Sequence, residues 1–584
     1  MMRSLTGRWA IGASVVLSML VCSLDADLQA ADEQVGNMIQ TEQVMIPMRD
    51  GVELSGALYL PEAGDVFPVI LVRTPYGKRQ LRVEAEFWAA GGYAVLIQDA
   101  RGKFASGGDY LPFVNELADG MATLDWIMEQ PWCNGKIGMW GSSYLAFSQL
   151  ILASKGHPGL RSIFPVSGWL GSEGQITCGG ANHIMLSIPW ILHEESLTNR
   201  NMNDYEIDEM FEYLPILDAF KSVGIDSRIW NEKYELEELD VYRPEDIEIP
   251  ALHMTGWLDF VAESALGVYR GIDAAGRKGQ LLIVGPWFHD QFYSTFTEAG
   301  DEDFGPQSVM GRAGLMELSK KWFDMTLRGM KNDLSEKDRV TLFVMGADEW
   351  RGFDQWPPVA SKPRKFFFSS MSGANSLDGD GSLSCLPLDD ASFDTFTFDP
   401  MDPVPTNGGA NMHFMLHLVG VKDQRDIERR DDVLVYTSEP LEDDMEIIGA
   451  IEARIYVSTE GLDTDFTAKL VEVREDGYAR IIEEGIVRAS WRNGGPDREL
   501  LEPGKVYGMN IAMGSTAILI KAGNRLRVEI SSSNFPKYDR NPNTGEDPLR
   551  AAVLKKTRQK IYHGKKYPSH IVLPVMDEGV RPGR

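Results

Sequence analysis

The sequence predicts an α/β domain with an inserted helical cap, followed by a C-terminal β-sandwich. Three changes along the chain support this prediction. Apolar strand segments alternate with helical segments in the first part, which is typical of a parallel sheet covered on both faces. The alternation lapses between Gly168 and Pro244, where acidic helical segments such as Asp204–Tyr213 dominate. From Val340 onward, short alternating strands are separated by Gly, Pro, Asn and Asp turns, as in a sandwich.

The elements of the first domain follow in order from local signals. The alternating segment 43–60 turns at Asp50-Gly51, which predicts a hairpin. Each later strand is a short apolar run, and the helix at 115–130 carries its apolar residues on one stripe. We therefore expect strands at 67–72, 93–97, 136–140, 251–255 and 281–284, and helices through 87–90, 115–130 and 144–154.

The same signals divide the chain into five segments. They are a signal peptide at 1–30, the first part of the α/β domain at 31–167, the helical cap at 168–245, the second part of the α/β domain at 246–338 and the β-sandwich at 339–584. Within the last segment we expect strands at 450–457, 466–473, 511–520 and 526–531.

The composition excludes several classes of partner. The chain has 584 residues, with 57 Lys+Arg against 86 Asp+Glu and a formal charge of −29. Nucleic-acid binding depends on cationic side chains that neutralise phosphates, so a nucleic-acid partner is not expected. An acidic chain also gains nothing at an anionic membrane surface. The expected partners are a small-molecule ester or amide, or a short peptide, and a homo-oligomer is left open.

The N-terminus has the pattern of a secretory signal. Arg3 and Arg8 precede the apolar stretch Ala10–Leu24, and the small residues Ala30-Ala31 follow as a cleavage point. We expect a secreted or periplasmic protein without a membrane span. Cys22 raises the alternative of a lipoprotein anchor, but the bulky Val21 stands where a small residue is wanted.

The remaining cysteines, Cys133, Cys178 and Cys385, are odd in number and form no disulfide framework. No CxxC, HExxH or clustered His/Cys spacing suggests zinc. The segment Ser376–Gly381 superficially resembles a calcium loop, but Pro387 stands where a bidentate Glu belongs. We expect neither a metal nor a cofactor.

The sharpest chemical signal is the segment Lys136–Ala146. A strand leads into a tight turn with Gly141 two residues before Ser143, and a helix leaves the turn. This arrangement is typical of a nucleophile elbow, which raises a serine hydroxyl above the end of a sheet. The segment departs from G-x-S-x-G because Leu145 stands in place of the second glycine. An ordinary strand–turn–helix with a capping serine is the alternative.

Two later positions complete the order Ser, Asp, His that this elbow requires. Asp259 follows the strand at 251–255, and His289 follows the strand at 281–284. Each lies just beyond the C-terminal end of a strand, where sites of α/β proteins assemble. His253 lies inside a strand and is interpreted as a core residue.

Further segments carry a family resemblance across nearly the whole chain. They are Met48–Val52, Arg73–Lys78, Gln98–Gly102, the elbow, Gly256–Asp259, Gly285–His289, Ser533–Pro536 and Arg540–Gly545. In these segments the chain resembles the cocaine-esterase / X-Pro dipeptidyl-peptidase family of serine hydrolases, which includes α-amino-acid ester hydrolases. The resemblance implies an α/β-hydrolase domain, a helical cap and a C-terminal jelly-roll sandwich.

The resemblance also implies a role for each site residue. Ser143 would attack the acyl carbon, His289 would carry its proton, and Asp259 would orient the imidazole. Tyr76 matches the family's oxyanion-hole tyrosine, whose phenol donates beside the backbone N–H of Tyr144. We further expect Asp99 and Arg101 to form a structural ion pair beneath the site.

The acyl substrate is less well defined by the sequence. In α-amino-acid ester hydrolases a carboxylate pair follows the catalytic Asp closely, whereas here Asp259 is followed by Phe260-Val261-Ala262, with Glu263 only at the fourth position. That departure disfavours a substrate ammonium. The cap still offers candidate acids, and several aromatic side chains are candidates for an apolar acyl pocket. The acids are Glu194, Glu195, Asp204 and Glu206, and the aromatic candidates are Trp169, Trp190, Trp257 and Phe260.

Three hypotheses for the activity therefore stand. The first is a secreted, cofactor-free serine esterase/acylase that works through an acyl-enzyme. The second is an exopeptidase that releases X-Pro dipeptides. The third is an inert secreted protein whose sandwich binds a glycan.

Asp290, directly after His289, replaces the commoner small residue and is expected to affect the leaving-group side.

Overall fold

The computed structural model of the protein describes residues 39–171, 177–196, 205–225, 242–371, 373–389, 392–412, 417–494 and 497–577. The predicted signal segment and Cys22 lie outside these residues. Within them, no helix combines the length and the apolar composition needed to span a bilayer. Cys133, Cys178 and Cys385 are free thiols. The described ranges contain no group of three or more His, Cys, Asp or Glu side chains arranged to hold a metal ion.

The strands of the first part of the chain include every strand predicted there. In chain order they are β1 (Ile39–Pro47), β2 (Glu53–Pro61), β3 (Phe67–Thr74), β4 (Ala94–Asp99), β5 (Cys133–Ser142), β6 (Leu160–Val166), β7 (Thr177–Cys178), β8 (Ala181–Asn182), β9 (Ala251–Leu258), β10 (Gln280–Phe288), β11 (Glu298–Ala299), β12 (Glu302–Asp303), β13 (Val340–Val344) and β14 (Glu349–Phe353).

One sheet of ten strands has the order β1-β2-β4-β3-β5-β6-β9-β10-β13-β14. The strands from β4 to β13 are parallel neighbours, and antiparallel strands close both edges. Every side chain of β3 and β9 is buried, as expected of strands covered on both faces. The C-terminal ends of the parallel strands therefore meet at one edge of the sheet, where their following loops can form a site.

Helices cover this sheet and build the cap. They are α1 (Arg82–Ala90), α2 (Glu116–Met128), α3 (Tyr144–Lys155), α4 (Ile184–Ser196), α5 (Ile207–Met210), α6 (Leu217–Ser222), α7 (Ala262–Ala274) and α8 (Gly311–Arg328), whereas the short α9 (Arg425–Glu428) lies in the second domain. α8 packs so closely on β5 that a Cβ at Gly138 would lie 2.6 Å from the ring of Phe323. The glycine in the middle of β5 is therefore a packing requirement of this helix.

The described part of the cap contains the 13-residue helix α4 and the shorter helices α5 and α6. In the described part of the predicted helical segment 204–213, only the short α5 forms. The cap has its own small core, built from α4, α5 and α6, and Phe535 from the second domain packs into it. The cap is thus held between the catalytic sheet and the sandwich.

The second domain is rich in strands, as predicted. Its strands are β15 (Ser361–Ser369), β16 (Ser382–Ser384), β17 (Ser392–Phe398), β18 (Leu434–Thr437), β19 (Met445–Thr459), β20 (Asp465–Val473), β21 (Ala479–Arg488), β22 (Tyr507–Ile520), β23 (Arg525–Ser531), β24 (Thr557–His563) and β25 (His570–Met576). They form one hydrogen-bonded path in the order β17-β24-β19-β25-β15-β16-β18-β23-β20-β21, with β22 pairing β19. Most of their buried apolar side chains belong to one core, which also includes residues of β9, β10 and β13. The predicted sandwich is confirmed.

The first sheet extends further along the chain than the predicted boundary at residue 338. β13 pairs in parallel with β10, and β14 pairs with β13. Both strands therefore belong to the first sheet, although the sequence assigned them to the sandwich. The sequence pattern cannot distinguish them, because short alternating strands look alike whichever sheet they join.

Buried polar contacts join the sandwich to the hairpin β7–β8. Asp539 accepts hydrogen bonds from the backbone N–H and the side-chain amide of Asn182, at 2.9 and 2.7 Å. Arg488 binds both carboxylate oxygens of Asp465 at 2.8 Å and reaches Asp539 at 2.8 Å. The backbone N–H of Arg488 also donates to the carbonyl of Gly179 at 2.8 Å. A buried guanidinium therefore links the cap hairpin to the sandwich.

We predict that Arg488→Met destabilises the sandwich strongly. Removing the guanidinium leaves the Asp465 and Asp539 carboxylates buried without their partner, which costs about 3–5 kcal/mol for such a pair. Calorimetry should show a lower unfolding midpoint for the transition that includes the sandwich. Lys505→Met is the matched control, because the Lys505–Glu502 pair is exposed to solvent and its loss should leave the unfolding midpoint almost unchanged. Equal midpoints for the two variants would contradict the prediction.

Candidate active site

Ser143 lies in a sharp turn between β5 and α3. Its φ is 57° and its ψ is −121°, a backbone conformation that residues other than glycine rarely adopt. The N–H of Ser143 donates to the carbonyl of Val166 in the neighbouring strand β6 at 2.9 Å, which holds the turn in place. Ser143 is partly exposed, so its hydroxyl is open to a substrate. This is the geometry of a nucleophile elbow.

Leu145 fits the elbow because residue 141 has no side chain. A Cβ built on Gly141 would lie 2.4 Å from the Cβ of Leu145, and Gly141 has a φ of +143°. In the usual motif the second glycine provides space in the turn. Here Gly141, on the other side of the turn, provides the space that Leu145 needs. The departure from G-x-S-x-G does not disturb the turn.

Ser143, His289 and Asp259 form one hydrogen-bonded chain. The Nε2 atom of His289 lies 3.0 Å from the Oγ atom of Ser143, and its Nδ1 atom lies 2.9 Å from the Oδ1 atom of Asp259. Asp259 and His289 are adjacent because β9 and β10 are paired neighbours, with Leu258 opposite Phe288. His289 is fully buried apart from its contact with the serine. The geometry suits transfer of the serine proton to Nε2.

The Asp259 carboxylate is fixed by two further donors. The hydroxyl of Ser167 donates to Oδ2, and the backbone N–H of Val261 donates to Oδ1 at 3.1 Å. Asp259 is 2% exposed. With both oxygens engaged, the carboxylate stays in one orientation and holds the imidazole in the matching tautomer.

The charge around His289 favours its protonated form. Burial by itself lowers the pKa of the imidazole, but the carboxylates of Asp259 and Asp290 outweigh burial and raise the pKa to about 9. Asp290 adopts a left-handed conformation with a φ of 66°. His253, by contrast, is buried against Gln280, and burial lowers its pKa to about 4. It is a neutral core residue, as the sequence suggested.

Tyr76 reaches the serine from the loop after β3. Its backbone N–H donates to the hydroxyl of Thr74 at 3.0 Å, and its phenol lies close enough to Ser143 for the serine hydroxyl to affect the pKa of the phenol. Burial, followed by the nearby Glu194 carboxylate, holds the pKa of Tyr76 well above its usual value. The phenol therefore keeps its proton and remains a hydrogen-bond donor.

Tyr144 contributes to the site through its backbone. It is the first residue of α3, so its N–H has no partner within the helix and points to the end where Ser143 lies. Its side chain turns away into the core, where the hydroxyl accepts from the N–H of Phe113 at 3.0 Å and donates to Glu116 at 3.2 Å. Tyr76 and the Tyr144 N–H thus flank the serine as two donors.

The predicted ion pair between Asp99 and Arg101 is wrong. Asp99 instead binds the backbone N–H of Lys78 at 2.7 Å and forms an ion pair with the Lys78 ammonium. Arg101 pairs with Asp119 at 2.6 Å and with Asp50 at 2.8 Å. β4 ends at Asp99 and Arg101 lies in the turn that follows, so the two side chains point to different partners. Asp99 thereby fixes the loop that carries Tyr76.

The predicted pocket residues divide into two groups. Trp190 and Phe260 border the serine and histidine: the Trp190 N–H reaches the Tyr76 oxygen at 3.3 Å, and the Phe260 ring lies 4.6 Å from the His289 ring. Trp169 packs one layer behind, stacked on Phe147 at 5.9 Å. Trp257 does not reach the site. Its N–H donates to the carbonyl of Phe343, and its ring packs in the core shared with the sandwich, on the opposite side of β9.

The candidate acids of the cap also divide. Glu194 is buried and forms an ion pair with Lys103 at 2.9 Å. Glu206 is exposed to solvent. Asp204, and the side chain of Glu195, lie outside the described residues. Glu263, at the start of α7, accepts a hydrogen bond from Ser515 of the sandwich and lies near Arg270 at 3.6 Å.

Sequence reasoning missed three residues that shape the site. Ser167 supports Asp259, Phe113 stacks on Tyr144 at 4.9 Å, and the Tyr293 hydroxyl donates to Ser142 at 3.1 Å. Two of them have an unusual backbone conformation, because Ser167 and Phe113 adopt a positive φ of 49° and 72°. No local sequence pattern predicts this conformation, since neither residue is Gly, Asn or Asp.

Comparisons with known proteins agree with this fold and identify the family. Residues 50–291 match the family model of X-Pro dipeptidyl-peptidase (S15 family), and residues 332–572 match that of the X-Pro dipeptidyl-peptidase C-terminal non-catalytic domain. Cocaine esterase from Rhodococcus sp. (strain MB1 Bresler) is 36% identical over 597 aligned residues, which cover 93% of this chain and 99% of that protein. The protein is therefore a serine hydrolase with an α/β-hydrolase fold. The chain belongs to the cocaine-esterase / X-Pro dipeptidyl-peptidase family.

Two solved structures share the complete two-domain architecture. An aminopeptidase from the marine sediment archaeon Thaumarchaeota archaeon superposes with a TM-score of 0.78 at 23% identity, covering 92% of this chain and 97% of that one. An α-amino acid ester hydrolase superposes with a TM-score of 0.71 at 24% identity, with the same coverage of 92% and 97%. At this identity the two superpositions support the fold alone.

We predict that Gly141→Ala disrupts the elbow. The new Cβ would meet Leu145 at 2.4 Å in a backbone conformation that strains any side chain, and overpacking of this kind costs about 1–3 kcal/mol. The thermal midpoint should fall, and labelling of the serine by a fluorophosphonate should slow. Gly267→Ala in α7 is the control, because the nearest atom to its Cβ would be 3.9 Å away. Unchanged labelling in Gly141→Ala would contradict the prediction.

Proposed function

We propose that the protein is an exported serine esterase/acylase that works through a covalent acyl-enzyme. The observation that carries this proposal is the hydrogen-bonded chain from Ser143 through His289 to Asp259, at 3.0 and 2.9 Å. The partly exposed serine and the two flanking donors add support. Export rests on the N-terminal pattern of Arg3 and Arg8 before an apolar stretch.

In the first half of the reaction, the Oγ atom of Ser143 attacks the acyl carbon while Nε2 of His289 takes its proton. The oxyanion that forms accepts hydrogen bonds from the Tyr76 phenol and the Tyr144 N–H. The bond to the leaving oxygen or nitrogen then breaks, and the leaving group takes the proton from His289. Asp259 stabilises the imidazolium throughout.

In the second half, water attacks the acyl carbon of the ester on Ser143. His289 removes a proton from this water and returns it to the serine oxygen as the acyl–serine bond breaks. The carboxylic acid leaves, and the free enzyme is regenerated. The chain's own residues supply every proton transfer in this cycle.

The surroundings of Tyr76 favour an uncharged, aromatic or apolar acyl group over an amino-acyl group. Trp190 and Phe113 stack at 5.6 Å beside Tyr76, and Phe260 lies against His289. The one buried cap carboxylate described there, Glu194, is already paired with Lys103. A substrate ammonium would have to compete with that lysine, which costs binding free energy.

We predict that Ser143→Ala abolishes hydrolysis and that Tyr76→Phe lowers kcat by about 10²–10³, because one of two oxyanion donors is lost. Hydrolysis of p-nitrophenyl acyl esters, compared with hydrolysis of an Ala-Pro p-nitroanilide, measures both activities in each variant. Turnover of the anilide with negligible turnover of esters would replace the esterase by the dipeptidyl-peptidase hypothesis. Failure of a fluorophosphonate to label the folded wild-type protein at Ser143 would favour the hypothesis of an inert binding protein.

We predict that kcat/KM for ester hydrolysis rises with pH through the pKa of His289, which is about 9. The imidazole must be neutral to accept the serine proton, so activity is lost as pH falls below that value. Asp290→Asn removes a charge that favours the imidazolium, so the rising limb of the kcat/KM profile should move to lower pH. Asparagine tolerates the left-handed backbone at this position. Glu206→Gln, an exposed acid on the cap, is the control. A limb that stays in place or moves upward in Asp290→Asn would contradict this assignment.

A further inference from the structure

A hydrogen bond connects the cap to the oxyanion site. Trp190 of α4 directs its indole N–H at the Tyr76 oxygen, with 3.3 Å between Nε1 and Oη. An indole N–H can only donate, so the phenol oxygen must be the acceptor. The phenol hydrogen then points away from Trp190, and Ser143 is a polar neighbour of that phenol whose hydroxyl affects the pKa of the phenol. The contact thus orients the Tyr76 O–H toward the place where the oxyanion forms.

A stack of rings holds Trp190 in this position. The ring of Trp190 lies parallel to that of Phe113, with 5.6 Å between centroids and 15° between planes. Phe113 in turn stacks on Tyr144 at 4.9 Å and 25°. Tyr144 directly follows the serine, so the stack connects Trp190 to the residue next to Ser143. The indole plane is therefore set by the same elbow that sets the nucleophile.

A buried ion pair holds the helix that carries Trp190. Glu194 lies four residues later in α4, on the same face of the helix. Its carboxylate lies 2.9 Å from the Lys103 ammonium, which also donates to the Glu194 carbonyl at 3.0 Å. Lys103 is 3% exposed and Glu194 is 6% exposed, so the pair is shielded from solvent. The cap helix is pinned to the catalytic domain one turn away from the indole.

We propose that Trp190 is a positioning residue for catalysis, which orients the Tyr76 hydroxyl for the oxyanion through its indole N–H. This role rests on the proposed function and goes beyond lining a pocket. A hydrogen bond donated to the phenol oxygen also polarises the O–H, so the phenol becomes a stronger donor as charge develops on the substrate. The benefit is realised in the transition state and therefore appears in kcat rather than in KM.

The test compares Trp190→Phe with the wild type, each with and without Tyr76→Phe, in the full-length protein. Phenylalanine keeps the stack on Phe113 and removes the N–H. We expect kcat for a p-nitrophenyl ester to fall about tenfold in Trp190→Phe, with KM changed by less than about twofold. In the Tyr76→Phe background the same substitution should cause no further loss, because no phenol remains to be oriented.

Trp350→Phe is the matched control. Trp350 is also partly buried and donates its N–H to a carbonyl, that of Gln307 at 2.8 Å, but it lies on β14 away from the serine. Its loss should leave kcat unchanged. Replacement of Trp190 by benzothienylalanine keeps the bicyclic ring and substitutes sulfur for the N–H, so it should reproduce the Trp190→Phe result even if phenylalanine fails to fold there.

Four results would overturn the inference. An unchanged kcat in both Trp190 variants, or an equal loss with and without the Tyr76 hydroxyl, would show that the N–H does not act through Tyr76. A change in KM alone would leave Trp190 as a pocket wall. Full activity of Tyr76→Phe would instead overturn the proposed oxyanion role of Tyr76, and the inference would fall with it.

Discussion

The active site depends on the backbone conformation of one residue. Ser143 adopts a φ of 57° between β5 and α3, and such a conformation costs roughly 1–3 kcal/mol in a residue other than glycine. The turn persists because β6 accepts its N–H and because Gly141 leaves room for Leu145. The same turn raises the hydroxyl above the sheet and presents the first N–H of α3. Nucleophile and oxyanion donor thus arise from one backbone feature, against which the remaining residues are assembled.

Three parts of the molecule converge on this turn. The sheet supplies Asp259 and His289 from the neighbouring strands β9 and β10, and the loop after β3 supplies Tyr76. The cap adds Trp190. The sandwich holds the cap through Asp539 and also borders the site indirectly, because the Tyr538 ring lies 5.5 Å from that of His183, which in turn lies 5.9 Å from the Phe260 ring. The second domain is therefore part of the framework that positions the cap over the serine.

Much of the fold and of the candidate site could be predicted because the relevant signals are local. An apolar run followed by a tight turn and a helix specifies the elbow, and an Asp or His just after a strand lies at the C-terminal edge of a parallel sheet. Predictions that required a partner in space were less successful. Asp99 pairs with Lys78 rather than Arg101, and Trp257 faces the sandwich core rather than the acyl pocket. Several partners lie within reach of each side chain, and only the packing of the loops selects one.

The amino-acid sequence by itself determined the order of strands and helices, the two-domain division, the serine elbow and the family, because each is written in short runs of neighbouring residues. Tertiary structure alone decided that β13 and β14 extend the first sheet, that Ser167 holds Asp259, and that Glu194 is neutralised by Lys103. It also brought the indole of Trp190 to the oxygen of Tyr76, 114 positions apart in the chain. Such contacts arise from how the cap closes over the sheet, and that closure has no local signal.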